Sequence, residues 1–460
     1  MKTAYYWLDP SVTATVPTDA DTPFLKTLWH HFCYRASTLN TQIGTSYQIG
    51  IGNATYLPLQ NGEEYTVCIR PDGIGICGQD RATLMRGFSA FLIQIEMTAD
   101  GRLRAACQDI RGRFSISRRM IHLCVFPETS LPTLARLVRL CGVLSYTHVV
   151  LEFWGTLRYD CLRELAWPEA FDKEDIRPIL QEARVLGMEP IPMVNHLGHA
   201  SSSRIDCGKH VVLDQNPRLQ SLFTPDGWCW NIFDEQPKKL LRRMREELYE
   251  LFGNGAYFHI GCDEAHLYSS SYYPANGLPD YLKAVTDEVV SEGRRPILWG
   301  DMIVAYNTNS DSEEKRITAA KQTEKTITLL NSLHPQSVIA DWHYEIKSAP
   351  IPSTVLFQKH GFDVLGCPWD APANINAHHQ TALECHTYGI LQTTWHTLHS
   401  GTSAILYGAR RYGFPKAPWS NATGHRNLEI ATLLRRVSFE PLSYRDCGFC
   451  NRQTAELFNW

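Results

Sequence analysis

From about residue 120 the chain alternates short apolar runs with longer stretches of helical periodicity. The apolar runs, rich in β-branched residues, stand at 121–126, 148–154, 190–195, 257–262, 296–299, 338–342, 364–369 and 390–395. They are too short for helices and suit strands buried on both faces. Helical patterns fall between them at 131–141, 172–186, 237–251, 282–291, 312–330, 352–359, 377–386 and 402–410. Asp172 is placed to cap one of these, and Gly187, Gly253 and Gly293 stand where three of them should stop. Eight strand–helix units in succession predict a closed parallel (β/α)8 barrel. A doubly wound open sheet is the alternative, but no glycine-rich phosphate loop follows any strand.

The first hundred residues follow another rhythm. Residues 65–70 alternate as a strand, Pro71-Asp72-Gly73 is a turn, and 74–77 read as the returning strand. Proline presets φ for such a turn, and glycine permits positive φ. Asp80 then caps a helix running towards Ile95. The expected organisation is a small α/β domain over 1–105, the barrel over 106–415, and an extension over 416–460 packed on the barrel.

Composition narrows the function. The chain has 460 residues, enough for a barrel with a small added domain. Hydrophobic residues make up 44% and charged residues 20%, the balance of an ordinary soluble globular protein. A net charge of −4 without a long basic run argues against nucleic acid or an anionic membrane as partner. No apolar run reaches the roughly 18 residues of a membrane span, and the first ten residues lack the apolar core of a signal peptide. The 14 cysteines are scattered, several of them, such as Cys68, Cys124 and Cys367, inside apolar runs. They read as reduced thiols of a cytoplasmic protein. Cys447-x-x-Cys450 has no second pair of ligands nearby, so neither a metal nor a cofactor is expected.

In a (β/α)8 barrel the chemistry sits at the C-terminal ends of the strands. Here those ends carry Trp154, Asn195, Asp263 with Glu264, Trp299 with Asp301, Trp342, Trp369 with Asp370, and Trp395. Adjacent carboxylates at a strand mouth can divide acid and base work when their surroundings differ. Flat indoles beside carboxylates suit a sugar, whose C–H faces stack and whose hydroxyls hydrogen-bond.

His259-Ile260-Gly261-Cys262-Asp263-Glu264 resembles the His-x-Gly-Gly-Asp-Glu signature of the family 20 glycoside hydrolases, the β-N-acetylhexosaminidases, with Cys for the second Gly. Residues 192–200, Pro-Met-Val-Asn-His-Leu-Gly-His-Ala, are similar to that family's Pro-Glu-Ile-Asp-Met-Pro-Gly-His-Ala. Arg111-Gly112 looks like the Arg-Gly entry to its catalytic domain. The resemblance covers about residues 60–400.

It implies Glu264 as general acid and base and Asp263 as the carboxylate that orients the substrate's acetamide. Arg111, Glu152, His199, Trp299, Trp342, Trp369, Asp370 and Trp395 become candidate substrate contacts. The implied partner is an oligosaccharide or glycoconjugate, and a homodimer is left open. Departures stand beside these matches. Glu152 occupies a second strand that usually carries His-x-His, Thr397 stands where a sugar-binding Glu is common, and Cys367-Pro368-Trp369-Asp370 lacks the acetamide-holding Tyr. Two alternatives follow: a retaining glycosidase with Glu152 or Asp370 as separate nucleophile, or a carbohydrate-binding protein without turnover. His196-x-x-His199, with Cys207 and His210 beyond, is too sparse for a metal site.

Overall fold

Eight parallel strands close in chain order into a barrel: Arg119–Cys124, His148–Glu152, Glu189–Met193, Tyr257–Gly261, Arg295–Trp299, Val338–Asp341, Asp363–Gly366 and Gly389–Gln392. The structure is a computed structural model that describes residues 3–439 except 169, 201–212, 214–215, 270–273, 305–323, 396–397, 399–400 and 422–425. The first strand pairs with the eighth, Arg119 against Ile390 and Ile121 against Gln392. All eight predicted runs are strands, but most of the runs extend past the true C-terminal end of the strand. The overshoot has one cause. Residues such as Trp342, Trp369 and Trp395 are apolar yet belong to the loops that build the mouth.

Helices cover the outside. Leu131–Val143, Lys173–Val185, Glu235–Phe252, Gly277–Ser291, Pro352–Lys359, Pro372–Cys385 and Thr402–Tyr412 match predicted segments. The expected helix at 312–330 is seen as Glu324–Ser332, and its first half lies outside the described residues. Side chains alternate sides along a strand. Met120, Val150, Ile191, Tyr257, Ile297, Trp299, Val338, Leu365 and Leu391 therefore pack inside the barrel, while a larger core lies between strands and helices. The same alternation sends His122, Cys124, Glu152, Asn195 and His259 inward above the apolar layer, all of them buried.

Before the barrel stands a six-stranded sheet in the order Thr38–Ile43, Ser11–Val16, Gln48–Gly52, Gly73–Gly78, Tyr65–Arg70, Gln108–Arg111. The hairpin turns at Pro71-Asp72 with Arg70 opposite Gly73, so Gly73, expected in the turn, is instead the first residue of the returning strand and does not use positive φ. Helix Arg81–Leu92 follows, capped by Asp80, whose Oδ1 accepts the Thr83 N–H at 2.8 Å. The strands before residue 60 carry too weak a pattern to be predicted. Ser11–Val16 does alternate, with Val12, Ala14 and Val16 buried, but its residues are small and Thr-rich.

After the barrel, helix Arg426–Arg436 packs against the helices at Thr402–Tyr412 and Leu131–Val143. Cys447 and Cys450 lie outside the described residues, and the described cysteines are free thiols. Among the described residues no helix is long and apolar enough to cross a membrane.

Candidate active site

The fourth barrel strand ends at Gly261, and the chain then coils sharply. Gly261, Cys262 and Glu264 have φ of 65°, 73° and 49°. On a continued strand Asp263 and Glu264 would point to opposite faces. The left-handed residues turn both carboxylates into one mouth. A non-glycine residue in this region costs on the order of 1–3 kcal/mol, so neighbours must hold it.

They do so through the backbone. The Cys262 N–H donates to Asn195 Oδ1 at 3.2 Å, and the Glu264 N–H donates to Asp301 Oδ2 at 2.9 Å. Trp228 Nε1 donates to the Glu264 carbonyl at 2.9 Å. Two glycines make room. A Cβ on Gly198 would stand 2.2 Å from the Asp263 carbonyl oxygen, and one on Gly261 would stand 1.5 Å from Asn195 Oδ1. These contacts give the Gly-His element and the first motif glycine a physical reason.

His199 joins the two carboxylates. Its Nε2 lies 3.4 Å from Asp263 Oδ2 and 3.4 Å from Glu264 Oε2, and its ring packs on Trp228 at 4.4 Å. The carboxylates differ in setting. The Asp263 side chain is 4% exposed and that of Glu264 21%. Asp263 lies at the bottom of the mouth, and Glu264 faces the opening. Asp301, at the end of the fifth strand, is buried beside them. Burial, with the charge of Asp263 added, pushes its carboxyl up to about 8.

Aromatic rings form the wall. Trp342 stacks on Tyr344 at 5.2 Å and 19°, and Trp369 lies 5.2 Å from Tyr344. Trp395, itself at φ 42°, donates from Nε1 to the Tyr344 hydroxyl at 2.5 Å. Burial foremost, with the nearby charge of Asp263 among lesser causes, raises the Tyr344 hydroxyl well above its usual value. Sequence reasoning missed Tyr344 and Trp228. The first had a signal, a second aromatic two residues after Trp342. The second lies in the long third loop, far from any strand end. Asp263 Oδ1, Asp301 Oδ1 and Trp342 Nε1 are buried here without a hydrogen-bond partner among the described residues, a set that a polar ligand would satisfy.

Several expected contacts fall elsewhere. Trp299 is fully buried, its ring 4.4 Å from His259 and 5.3 Å from Trp395. It floors the pocket and offers no face for stacking. Glu152 is also fully buried, and both its oxygens are engaged, with His122 Nε2 at 3.0 Å and Asn195 Nδ2 at 2.9 Å. A carboxylate so held is unavailable to a sugar or as a nucleophile. Arg111 donates to Glu63 Oε2 at 2.7 Å within the N-terminal sheet. The neighbouring Glu64 binds Arg119, where the first barrel strand begins, so Arg111 lies near the end of the barrel opposite the mouth. The length of the first strand separates it from the site it was expected to join. Asp370 is exposed, past the end of the seventh strand, and Thr397 lies outside the described residues.

His196 turns away from His199. Its Nδ1 bonds the Val194 carbonyl at 2.8 Å and its Nε2 accepts from Arg245 at 3.0 Å. Burial, then Arg245, holds it down at about 3. Cys207 and His210 lie outside the described residues. One set of metal-type donors does converge: His122, Cys124 and Glu152 offer N, S and O within 4.8 Å of one another, all buried. The His122–Glu152 and Glu152–Asn195 bonds already occupy two of these three side chains.

Residues 151–340 match the family model described as glycosyl hydrolase family 20, catalytic domain. No curated protein matches the sequence. Among solved structures, the β-N-acetylhexosaminidase of Streptomyces coelicolor A3(2) superposes with TM-score 0.65 at 14% identity, over 95% of this chain and 93% of that one. The N-acetyl-β-hexosaminidase of Streptomyces plicatus gives 0.65 at 13%, over 98% and 95%. The exo-β-N-acetylglucosaminidase of Vibrio harveyi gives 0.65 at 14%, over 94% and 75%. At such identity the structures speak for the fold.

Proposed function

We propose that this chain, which carries the catalytic domain of glycosyl hydrolase family 20, removes terminal β-linked N-acetylhexosamine from glycans with retention of configuration. The observation that carries the reading is the turned pair Asp263 and Glu264, linked by His199 Nε2 at 3.4 Å from each, in a mouth walled by Trp342, Tyr344, Trp369 and Trp395.

The roles follow from depth. Glu264, the more exposed, reaches the glycosidic oxygen and protonates it as the bond breaks. The acetamido oxygen of the substrate attacks the anomeric carbon from within the same molecule, an advantage of proximity. Asp263, deeper, accepts the acetamide N–H and stabilises the positive charge of the resulting oxazolinium ion. Water then opens that ring, with Glu264 as base. A scheme in which a second enzyme carboxylate attacks the sugar is not needed at such a site, since the substrate supplies the nucleophile. Tyr344 takes the place of the tyrosine missing after the seventh strand. Its hydroxyl accepts from Trp395 and keeps its own proton to donate to the acetamido oxygen.

The engaged, buried state of Glu152 disfavours a separate nucleophile there. Binding without turnover would not need a strained pair of carboxylates. The scattered free thiols support a reducing compartment such as the cytoplasm. Activity on aryl β-N-acetylglucosaminide and galactosaminide against aryl β-glucoside tests the reading; a preference for the sugar lacking the acetamide would overturn it.

A further inference from the structure

Asp301 has no role in the scheme above, yet it touches both halves of it. It is 5% exposed. Its Oδ2 accepts the N–H of Glu264, a residue at φ 49° that would relax without an anchor. Its Oδ1 is buried with no partner among the described residues, as is Asp263 Oδ1. The groups facing it among the described residues are Asp263, Glu264 and the buried Cys262 thiol from the fourth strand's end. His199 and the Tyr344 hydroxyl lie beyond, each within reach of Asp263. No Lys or Arg is among them.

Two unsolvated carboxylates side by side without a cation cannot both ionise cheaply. We propose that Asp301 is a positioning residue that stays protonated at working pH, anchors the Glu264 amide, and leaves the negative charge of the pocket floor on Asp263. This rests on the reading of Asp263 as the anion that meets the oxazolinium. Ionisation of Asp301 places a second anion beside Asp263. Repulsion between them then disturbs the carboxylate that must sit against the acetamide.

The consequence for stability has a definite sign. An Asp carboxyl is ionised in the unfolded chain above about pH 4, while Asp301 in the fold keeps its proton until about 8. Between these values the folded state holds one more proton, so this group lowers stability progressively as pH rises. Asp301→Asn removes that penalty and keeps a carbonyl oxygen for the Glu264 N–H.

The test compares wild type, Asp301→Asn and Asp301→Ala. kcat/KM is measured from about pH 5 to 9.5, a span that brackets both carboxyl states, on a 2,4-dinitrophenyl acetamido sugar, whose leaving group departs without help from Glu264. Thermal melts are run over the same range. Wild type should lose activity above about pH 8. Asp301→Asn should stay within about fivefold of wild type near pH 6 and lose that alkaline limb, and its Tm advantage should grow from about pH 5 to about pH 8. Asp301→Ala, without the anchor, should fall by more than about tenfold at every pH on a 4-methoxyphenyl acetamido sugar, whose leaving group needs the Glu264 proton, and by less on the dinitrophenyl sugar; should it not fold, Asp301→Asn decides alone. An Asp301→Asn profile that keeps the alkaline limb, or a Tm gap constant with pH, overturns the proposal. Wild type inactive on every acetamido sugar would instead overturn the functional reading beneath it.

Discussion

Gly198→Ala isolates the packing that aims the proposed catalytic pair, Asp263 and Glu264. Gly198 does not use positive φ, so its backbone tolerates alanine. The obstacle is contact alone. The added Cβ would stand 2.2 Å from the Asp263 carbonyl oxygen, where ordinary contact begins at 3.4 Å. Something must yield by about 1.2 Å, the difference between those two distances. The neighbour is backbone, not a side-chain end, and the third-strand loop is itself tied to the fourth through Asn195 and Cys262. The expected result is a shift of the Asp263–Glu264 turn by about 1 Å. Misplacement of that size costs on the order of 100-fold in rate, or about 2.7 kcal/mol of barrier. Overpacking should also lower stability by about 1–3 kcal/mol without unfolding the barrel. Steady-state kinetics on an aryl N-acetyl-β-glucosaminide, with urea melts in parallel, gives both numbers. kcat should fall about 100-fold and KM change less. A variant whose kcat stays within about threefold of wild type would refute the claim that this contact positions the pair.

Tyr344→Phe removes the acceptor of the Trp395 indole N–H and, with it, the proposed donor to the acetamide. It should lower kcat/KM by roughly 10- to 100-fold, since a lost buried hydrogen bond costs about 1–3 kcal/mol; an unchanged kcat/KM on acetamido sugars would clear Tyr344 of the role. Asn195→Asp sets a second buried carboxylate against Glu152 Oε1 and should destabilise by on the order of 2–4 kcal/mol near pH 7, less near pH 5 where one of the two gains a proton. Adding Glu152→Gln should recover most of the loss, and equal melts for the single and double variants would contradict the coupling. Titration of the denatured, unreduced protein should count close to the 14 cysteines of the sequence as free thiols; a large protected fraction would speak against a reducing compartment.

The barrel was legible because its signal is repeated eight times and depends only on burial. Strands buried on both faces must be short and apolar, and the glycines and capping residues punctuate what lies between. The Asp263-Glu264 pair was legible because two adjacent acids ending an apolar run are hard to explain as core. Depth was not legible. Trp299 and Trp342 end neighbouring apolar runs with the same residue, yet one is floor and the other wall, since Trp299 belongs to the strand and Trp342 follows its end. Arg111 was misplaced for a related reason: nearness in sequence to the first strand says nothing about which end of it is near. Glu152, a departure on the second strand, and Asn195, which stands where the similar family pattern has Asp, are one feature in space. The carboxylate resides on the second strand, paired with His122, and the loop after the third strand answers with a neutral amide that donates to it.

The most direct test of the account is the division of labour between the two carboxylates. Glu264→Gln removes the proton donor but leaves the acetamide free to attack. Its loss should shrink for leaving groups that depart unprotonated. Asp263→Asn should lose on the order of 2–4 kcal/mol of barrier stabilisation whatever the leaving group, and should bind a thiazoline analogue of the intermediate poorly where wild type binds it well. Equal thiazoline binding by wild type and Asp263→Asn, with leaving-group dependence confined to Asp263→Asn, would reverse the two roles and contradict substrate assistance.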